Sequence, residues 1–299
     1  MKSILYKSKF VSCLSVFVFL LGLHVACTDR IDIKTEAGAE RLVIYGYITT
    51  DTMQHAIRIT RSSGYFATTK PAGIRGAVVT ISSPTETYVL TESPEEAGLY
   101  LTNADVYGVE GETYKLSVSV DYDEDGVLEE YEAISLLPLA PRVDSIDVQA
   151  VDLFFGDYVE VLFYGELPET EENYFKFHVF CNHVALNDSL IDFSIIEDEY
   201  IENKILEGVS CFYLDQEEDK FKIEEGDLIT LRVDAITKEY SDFLYNAQTE
   251  VYGSNPLFSG PPANVETNIK AVDPANQNLL TGFFSAFSGN SASTIYREE

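Results

Sequence analysis

Tyr114, Leu116, Val118 and Val120 alternate with Lys115, Ser117 and Ser119 without a break. A period of two puts the first set on one face of a strand and the second on the other, so this stretch belongs to a sheet with one face buried. Short Val/Ile/Tyr/Thr runs of this kind recur at 41–49, 54–61, 76–83, 86–91, 98–102, 112–121 and 130–137, broken by Gly, Pro and Asp clusters. Seven short strands at that spacing predict an Ig-like or transthyretin-like β-sandwich over 41–141. Pro138-Leu139-Ala140-Pro141 punctuates its end.

A second unit is expected over 142–299, with strands at 143–151, 157–165, 173–182, 208–214 and 227–236. Phe175, Phe177, Val179 and Cys181 share one strand face there, and Lys176 and His178 lie on the other. Tyr240, Phe243, Leu244, Ala247 and Val251 fall at helical spacing, which predicts a helix over 238–252 capped by Thr237 and stopped by Gly253 and Pro256. A final strand pair is read near 281–287 and 292–297. The expected fold is therefore mainly β, a sandwich followed by a β-rich domain carrying one helix.

The N-terminus reads differently. Lys2, Lys7 and Lys9 precede an apolar run at 10–23, too short to span a bilayer. A basic stretch before such a run is a secretory signal peptide, placed here at 1–26. Ala26 before Cys27 looks like a lipoprotein processing site, although the usual Leu three residues before the Cys is replaced by His24. Cys27 is expected to be fatty-acylated, palmitate being the type of chain, and residues 27–40 to tether the protein to the bilayer. Thr28 rather than Asp follows it, which favours the outer membrane, with the periplasmic or cell-surface face left open.

Removing 26 residues, three of them Lys and none acidic, leaves 273 residues with a net charge of −33. Such acidity argues against nucleic acid, whose phosphates need Lys and Arg. Two cysteines then remain besides Cys27. In a disulfide-permissive compartment Cys181 and Cys211 are expected to form a bridge worth ~3 kcal/mol, the alternative being two buried thiols.

The sharpest local motif runs from Asp121 to Glu132, DYDEDGVLEEYE. It satisfies D-x-[DN]-x-[DN]-G-x5-E, in which Asp121, Asp123, Asp125, the Val127 carbonyl and a bidentate Glu132 would surround one structural Ca2+. Strands flank the loop where an EF-hand has helices, so an unmetallated acidic hairpin is the competing reading. Other acidic runs read as solvated faces, or as an electrostatic surface for a basic partner. His178 and His183 are badly placed for zinc, five residues apart on a strand. No nucleophile elbow, zincin, Walker or dinucleotide motif is present, and no catalytic residue is expected. Tyr252, Asn255, Phe258 and Asn264 mark a long irregular stretch, a candidate for ligand or partner contact.

Taken in order, RLVIYGYITTD (41–51), Gly98-Leu99-Tyr100, GETYKLSVS (111–119), Tyr131-Glu132-Ala133, NPLFSGPPANVETNI (255–269) and Gly282 to Phe287 form a pattern. It resembles a family of Bacteroidota cell-envelope lipoproteins of unknown function, commonly encoded beside TonB-dependent receptors. The resemblance implies location and company, and brings no catalytic residues with it. The function expected is a non-enzymatic accessory that binds a ligand for, or caps, a TonB-dependent outer-membrane receptor. A surface structural or adhesin-like protein is the first alternative, and a hydrolase with acidic catalytic residues the second.

Overall fold

A computed structural model describes residues 40–63, 69–154, 156–170, 172–198, 201, 204–252 and 265–298. In chain order the first eight strands are β1 (Leu42–Thr49), β2 (Ala56–Arg61), β3 (Val78–Ser82), β4 (Thr87–Val89), β5 (Thr91–Glu92), β6 (Leu99–Leu101), β7 (Thr113–Val120) and β8 (Glu129–Leu136). There follow β9 (Arg142–Leu153), β10 (Gly156–Glu166), β11 (Tyr174–Cys181), β12 (Val184–Ala185), β13 (Ser194–Glu197), β14 (Ile205–Asp215) and β15 (Leu228–Ile236). Helix α1 (Lys238–Tyr252), β16 (Lys270–Ala271) and β17 (Leu280–Ile295) complete the described chain. The fold is mainly β, as the alternation requires, with one α-helix among the described residues. That helix is not long and apolar enough to cross a membrane.

The strands form two face-to-face layers twice over. In the first sandwich, β5, β6, β2, β1 and the first half of β17 oppose the sheet β16-β8-β7-β3-β4. Leu42, Ile44, Ile57, Leu116, Val118 and Phe284 fill the space between them. The second opposes β12, β11, β15 and the rest of β17 to the sheet β14-β10-β9, around Val161, Phe163, Phe177, Val179, Leu231 and Val233. Each such side chain withdrawn from water contributes ~1.5–3 kcal/mol.

β17 joins the two. The sequence reading has two short strands here, near 281–287 and 292–297. The structure has one strand of 16 residues, roughly 50 Å at ~3.3 Å per residue. Its residues 280–287 pair in parallel with all of β1, and residues 288–295 pair antiparallel with β15. Gly289 serves the packing rather than a turn: a Cβ there would lie 2.2 Å from Asp234 Oδ1. Gly282, with φ of 104°, is likewise forced, since a Cβ would meet the Ile44 carbonyl oxygen at 2.1 Å. The two sandwiches thus share a strand within one compact unit.

Helix α1 covers the outer face of the nine-stranded sheet. Thr237 caps it, its Oγ1 accepting from Tyr240 N at 3.3 Å. Tyr240 and Leu244 pack on Tyr174, Ile236, Phe283 and Phe287, with Phe243 at the margin. Val251, the last member of the apolar stripe, stays exposed. This cover explains why Lys176, placed by alternation on the face away from Phe175 and Phe177, is buried too.

The expected disulfide is absent, and Cys181 and Cys211 are both free thiols. They belong to opposite layers of the second sandwich, on β11 and β14. Cys211 Sγ donates to Val209 O at 3.3 Å, two residues along its own strand. Cys181 ends β11 opposite Ile229 and Val184. Burial pushes the Cys211 thiol up to about 12, and burial together with Asp227 pushes Cys181 up to about 11.

Candidate functional site

A strand that changes partner midway leaves each flank bare over half its length. On the β15 side, residues 280–287 have no strand neighbour among the described residues, and their backbone groups find other partners. Asn268 takes both groups of Phe284, its Oδ1 accepting from Phe284 N at 3.0 Å and its Nδ2 donating to Phe284 O at 2.7 Å. Ser135 Oγ, from the opposite sheet, accepts from Ala286 N at 2.9 Å. Ser288 Oγ donates to Pro138 O at 2.7 Å.

Beside these substitutes lies an open groove of about 870 Å3. The end of β8 and the Pro138-Leu139 linker give it an apolar wall, with Ile134, Leu136 and Leu139 exposed. The start of β11, the end of β15 and the first turn of α1 supply Tyr174, Ile236, Lys238 and Glu239, and Glu172 and Asn173 add polar groups. Tyr174 is held by Glu172 and Glu197, each with a carboxylate oxygen 3.0 Å from its hydroxyl. Burial and those two carboxylates raise its phenol pKa. Lys238 Nζ sits 5.2 Å above the Tyr174 ring and 3.6 Å from Asp242 Oδ1. Asn173 is fixed by Asp198, which accepts from its backbone N at 2.9 Å and its Nδ2 at 2.6 Å. Burial would raise the Asp198 carboxyl, but Lys204 and Asn173 outweigh it and hold the group below its usual range. A predominantly apolar cleft with a few anchored polar groups suits a ligand with an apolar body and a hydroxyl or ammonium end.

Under α1, next to the groove, Lys176 lies in an aromatic box. Its Nζ is 4.4 Å from the Phe287 ring centre, 5.4 Å from Phe193 and 5.8 Å from Tyr240. Asp234 balances it at 3.5 Å and also accepts from Arg232 Nε at 2.6 Å. Arg232 reaches on to Asp51 at 2.7 Å, at the end of the β1 layer. Burial lowers the Lys176 pKa against the pull of Asp234. Burial, helped by Lys176, brings His178 down to about 4. Sequence reading missed both the groove and this network. Their residues come from segments far apart in the chain, and no local spacing announces them.

The acidic motif is the loop of the β7–β8 hairpin, whose last pair is Val120 with Glu129. Carboxylate oxygens of Asp121, Asp123 and Asp125 come within 4.8 Å of one another. Asp121 Oδ1 is buried with no hydrogen-bond partner, while its Oδ2 accepts from Gly126 N at 3.0 Å. Glu124 and Gly126, with φ of 63° and 89°, turn the chain. Arg61 braces it through Tyr122 O at 2.7 Å. Val127 is exposed, its N–H donating to Asp125 Oδ1 at 2.8 Å.

Glu132 does not join this cluster. It lies on β8 opposite Ser117, three residues into the ladder and so about 10 Å along the strand, and pairs with Lys115. A twelve-residue loop places its last ligand back at the ion only if flanking helices let the chain return, and a hairpin carries it away. Tyr252 is the last residue of α1, and Asn255, Phe258 and Asn264 lie outside the described residues, as do Cys27 and the segment 1–26.

Comparison with curated proteins finds no match. Among solved structures the chain is similar to the FN1–FN3 domains of chicken CNTN1, at 13% identity and a TM-score of 0.27. The likeness covers 65% of this chain and 60% of that one, so the chain spans less than two thirds of it. The family described as a domain of unknown function, DUF4249, matches residues 28–293, and the protein belongs to that family.

Proposed function

We propose that the protein is a non-enzymatic accessory of a TonB-dependent outer-membrane transporter, held at the bilayer by acylated Cys27, that binds a ligand in the groove beside β17. The observation that carries this reading is the groove itself, whose exposed Ile134, Leu136 and Leu139 face anchored polar groups. The lipoprotein-like start and the family resemblance support the anchor and the partner. The Asp121–Asp123–Asp125 loop holds one structural Ca2+ in this reading, without Glu132. The buried, unpartnered Asp121 Oδ1 supports it, and waters complete the six to eight oxygens calcium takes.

The test is a tagged pull-down of the full chain from detergent-solubilised membranes of the native host. One TonB-dependent receptor recovered in stoichiometric amount is the expected result, with Leu136→Arg lowering ligand carried by the complex but not receptor recovery. A protein recovered only with itself, as SDS-resistant multimers, would favour the surface structural reading. That alternative draws on β9, a 12-residue strand whose one strand neighbour among the described residues is β10.

A further inference from the structure

The β9–β10 hairpin closes with Leu153 paired to Gly156, so Phe154 and Phe155 alone lie between. Two-residue hairpin loops favour Asn-Gly, Asp-Gly or Gly-X, because the turn needs positive φ. Phe154 does not take the positive φ of those turns, so its backbone gives no reason for a phenylalanine. Phe154 is nonetheless fully exposed to solvent at the tip. Solubility argues against a phenylalanine held wholly in water, and surfaces carry few such residues beyond what function needs.

The surroundings say what that is. From Val143 to Phe175 the chain has nine acids and no Lys or Arg. Asp152 and Asp157 flank the tip and are exposed. Gln216 N donates to Asp157 O at 3.0 Å, which brings the turn after β14, with Asp215, Glu217 and Glu218, against the hairpin. An apolar tip ringed by carboxylates is repelled by anionic lipid, whereas aromatic anchors that enter membranes carry Lys and Arg around them. It complements an apolar pocket rimmed by Lys and Arg.

We propose that the β9–β10 tip is a docking element, with Phe154 inserting into an apolar, basic-rimmed pocket on a protein partner. This rests on the transporter reading above, and the partner is that receptor. Desolvating Phe154 supplies the attraction, and Asp152 and Asp157 select against wrong surfaces by charge.

The experiment compares full-length wild type, Phe154→Ser, Asp152→Lys/Asp157→Lys and, as a remote control, Val184→Ser, all pulled down from native membranes after thermal melts show each is folded. Receptor recovery is expected to fall at least tenfold for the first two variants and to stay unchanged for the control. Equal recovery from all four overturns the docking element while leaving the transporter reading intact. If wild type brings down no receptor, the transporter reading fails. A photo-crosslinker at position 154 then decides: an adduct to one other protein that Asp152→Lys/Asp157→Lys abolishes sustains the docking element, and no adduct overturns it. Phe154-dependent flotation with phosphatidylethanolamine–phosphatidylglycerol vesicles overturns it in favour of lipid.

Discussion

Lys176 and Asp234 are direct neighbours in the β11–β15 register, with Nζ 3.5 Å from Oδ2, and both are almost wholly buried beneath α1. The pair is asymmetric in its obligations. Asp234→Ala strands Lys176 in its aromatic box, whereas Arg232 keeps Asp51, and the expected loss is ~3–5 kcal/mol. Lys176→Met keeps the stem against Phe287 and leaves Asp234 with Arg232, so its expected cost is within about 1 kcal/mol. Urea unfolding of both variants checks the contrast. Equal losses would show that the two charges act as one unit.

His178 makes stability depend on pH. Burial and the charge of Lys176 bring its folded-state pKa to about 4, against ~6.5 in an unfolded chain. Between those values the unfolded chain binds more protons, so stability falls as pH falls from 6.5 towards 4. The effect at pH 4.5 is roughly 2–3 kcal/mol, and it is read as the difference between wild type and His178→Gln in unfolding free energy at pH 7.5 and 4.5.

The two thiols are expected to be inert while the protein is folded. With pKa values near 11 and 12 they hold little thiolate at pH 8. Iodoacetamide is expected to label neither Cys181 nor Cys211 appreciably in native protein and both in denaturant. Reductant should leave the melting temperature unchanged. A drop on reduction would mean that a bridge forms after all.

Calcium at tenfold its Kd is expected to raise the melting temperature by roughly 2–5 °C. Asp121→Asn/Asp123→Asn should abolish the rise. Glu132→Gln should not, because that carboxylate is engaged by Lys115 on the β-ladder. A rise that Glu132→Gln removes would restore a twelve-residue loop.

How much of this was legible in sequence follows from how local each signal is. The alternation at 113–120 and the apolar stripe at 240–247 are complete within one element, and β7 and α1 lie where they were read. The break read between 287 and 292 is not there, and the reason for Gly289 inside one long strand is Asp234, 55 residues earlier, which leaves no room for a Cβ. Alternation puts Lys176 on the face away from Phe175 and Phe177 but is silent about a helix that covers that face. Glu132 fits the motif by count, but a count along the chain is a distance only when the backbone is known. The groove assembles around 134–139, Thr170, 172–174, 235–239 and Asn268, and nothing in any of these segments points to the others.

The shared strand also sets the order in which the molecule can come into being. β1 needs residues 280–287 at its flank, and β15 needs 288–295. A growing chain therefore has β1–β8 long before the strand that completes the sheet of β1 exists, and that most distant pairing must wait for β17. Ordinary multidomain proteins finish one domain while the next is still being synthesised. Here a chain lacking β17 leaves both sandwiches open. Proteolytic loss of β17 would accordingly undo the first sandwich as surely as the second.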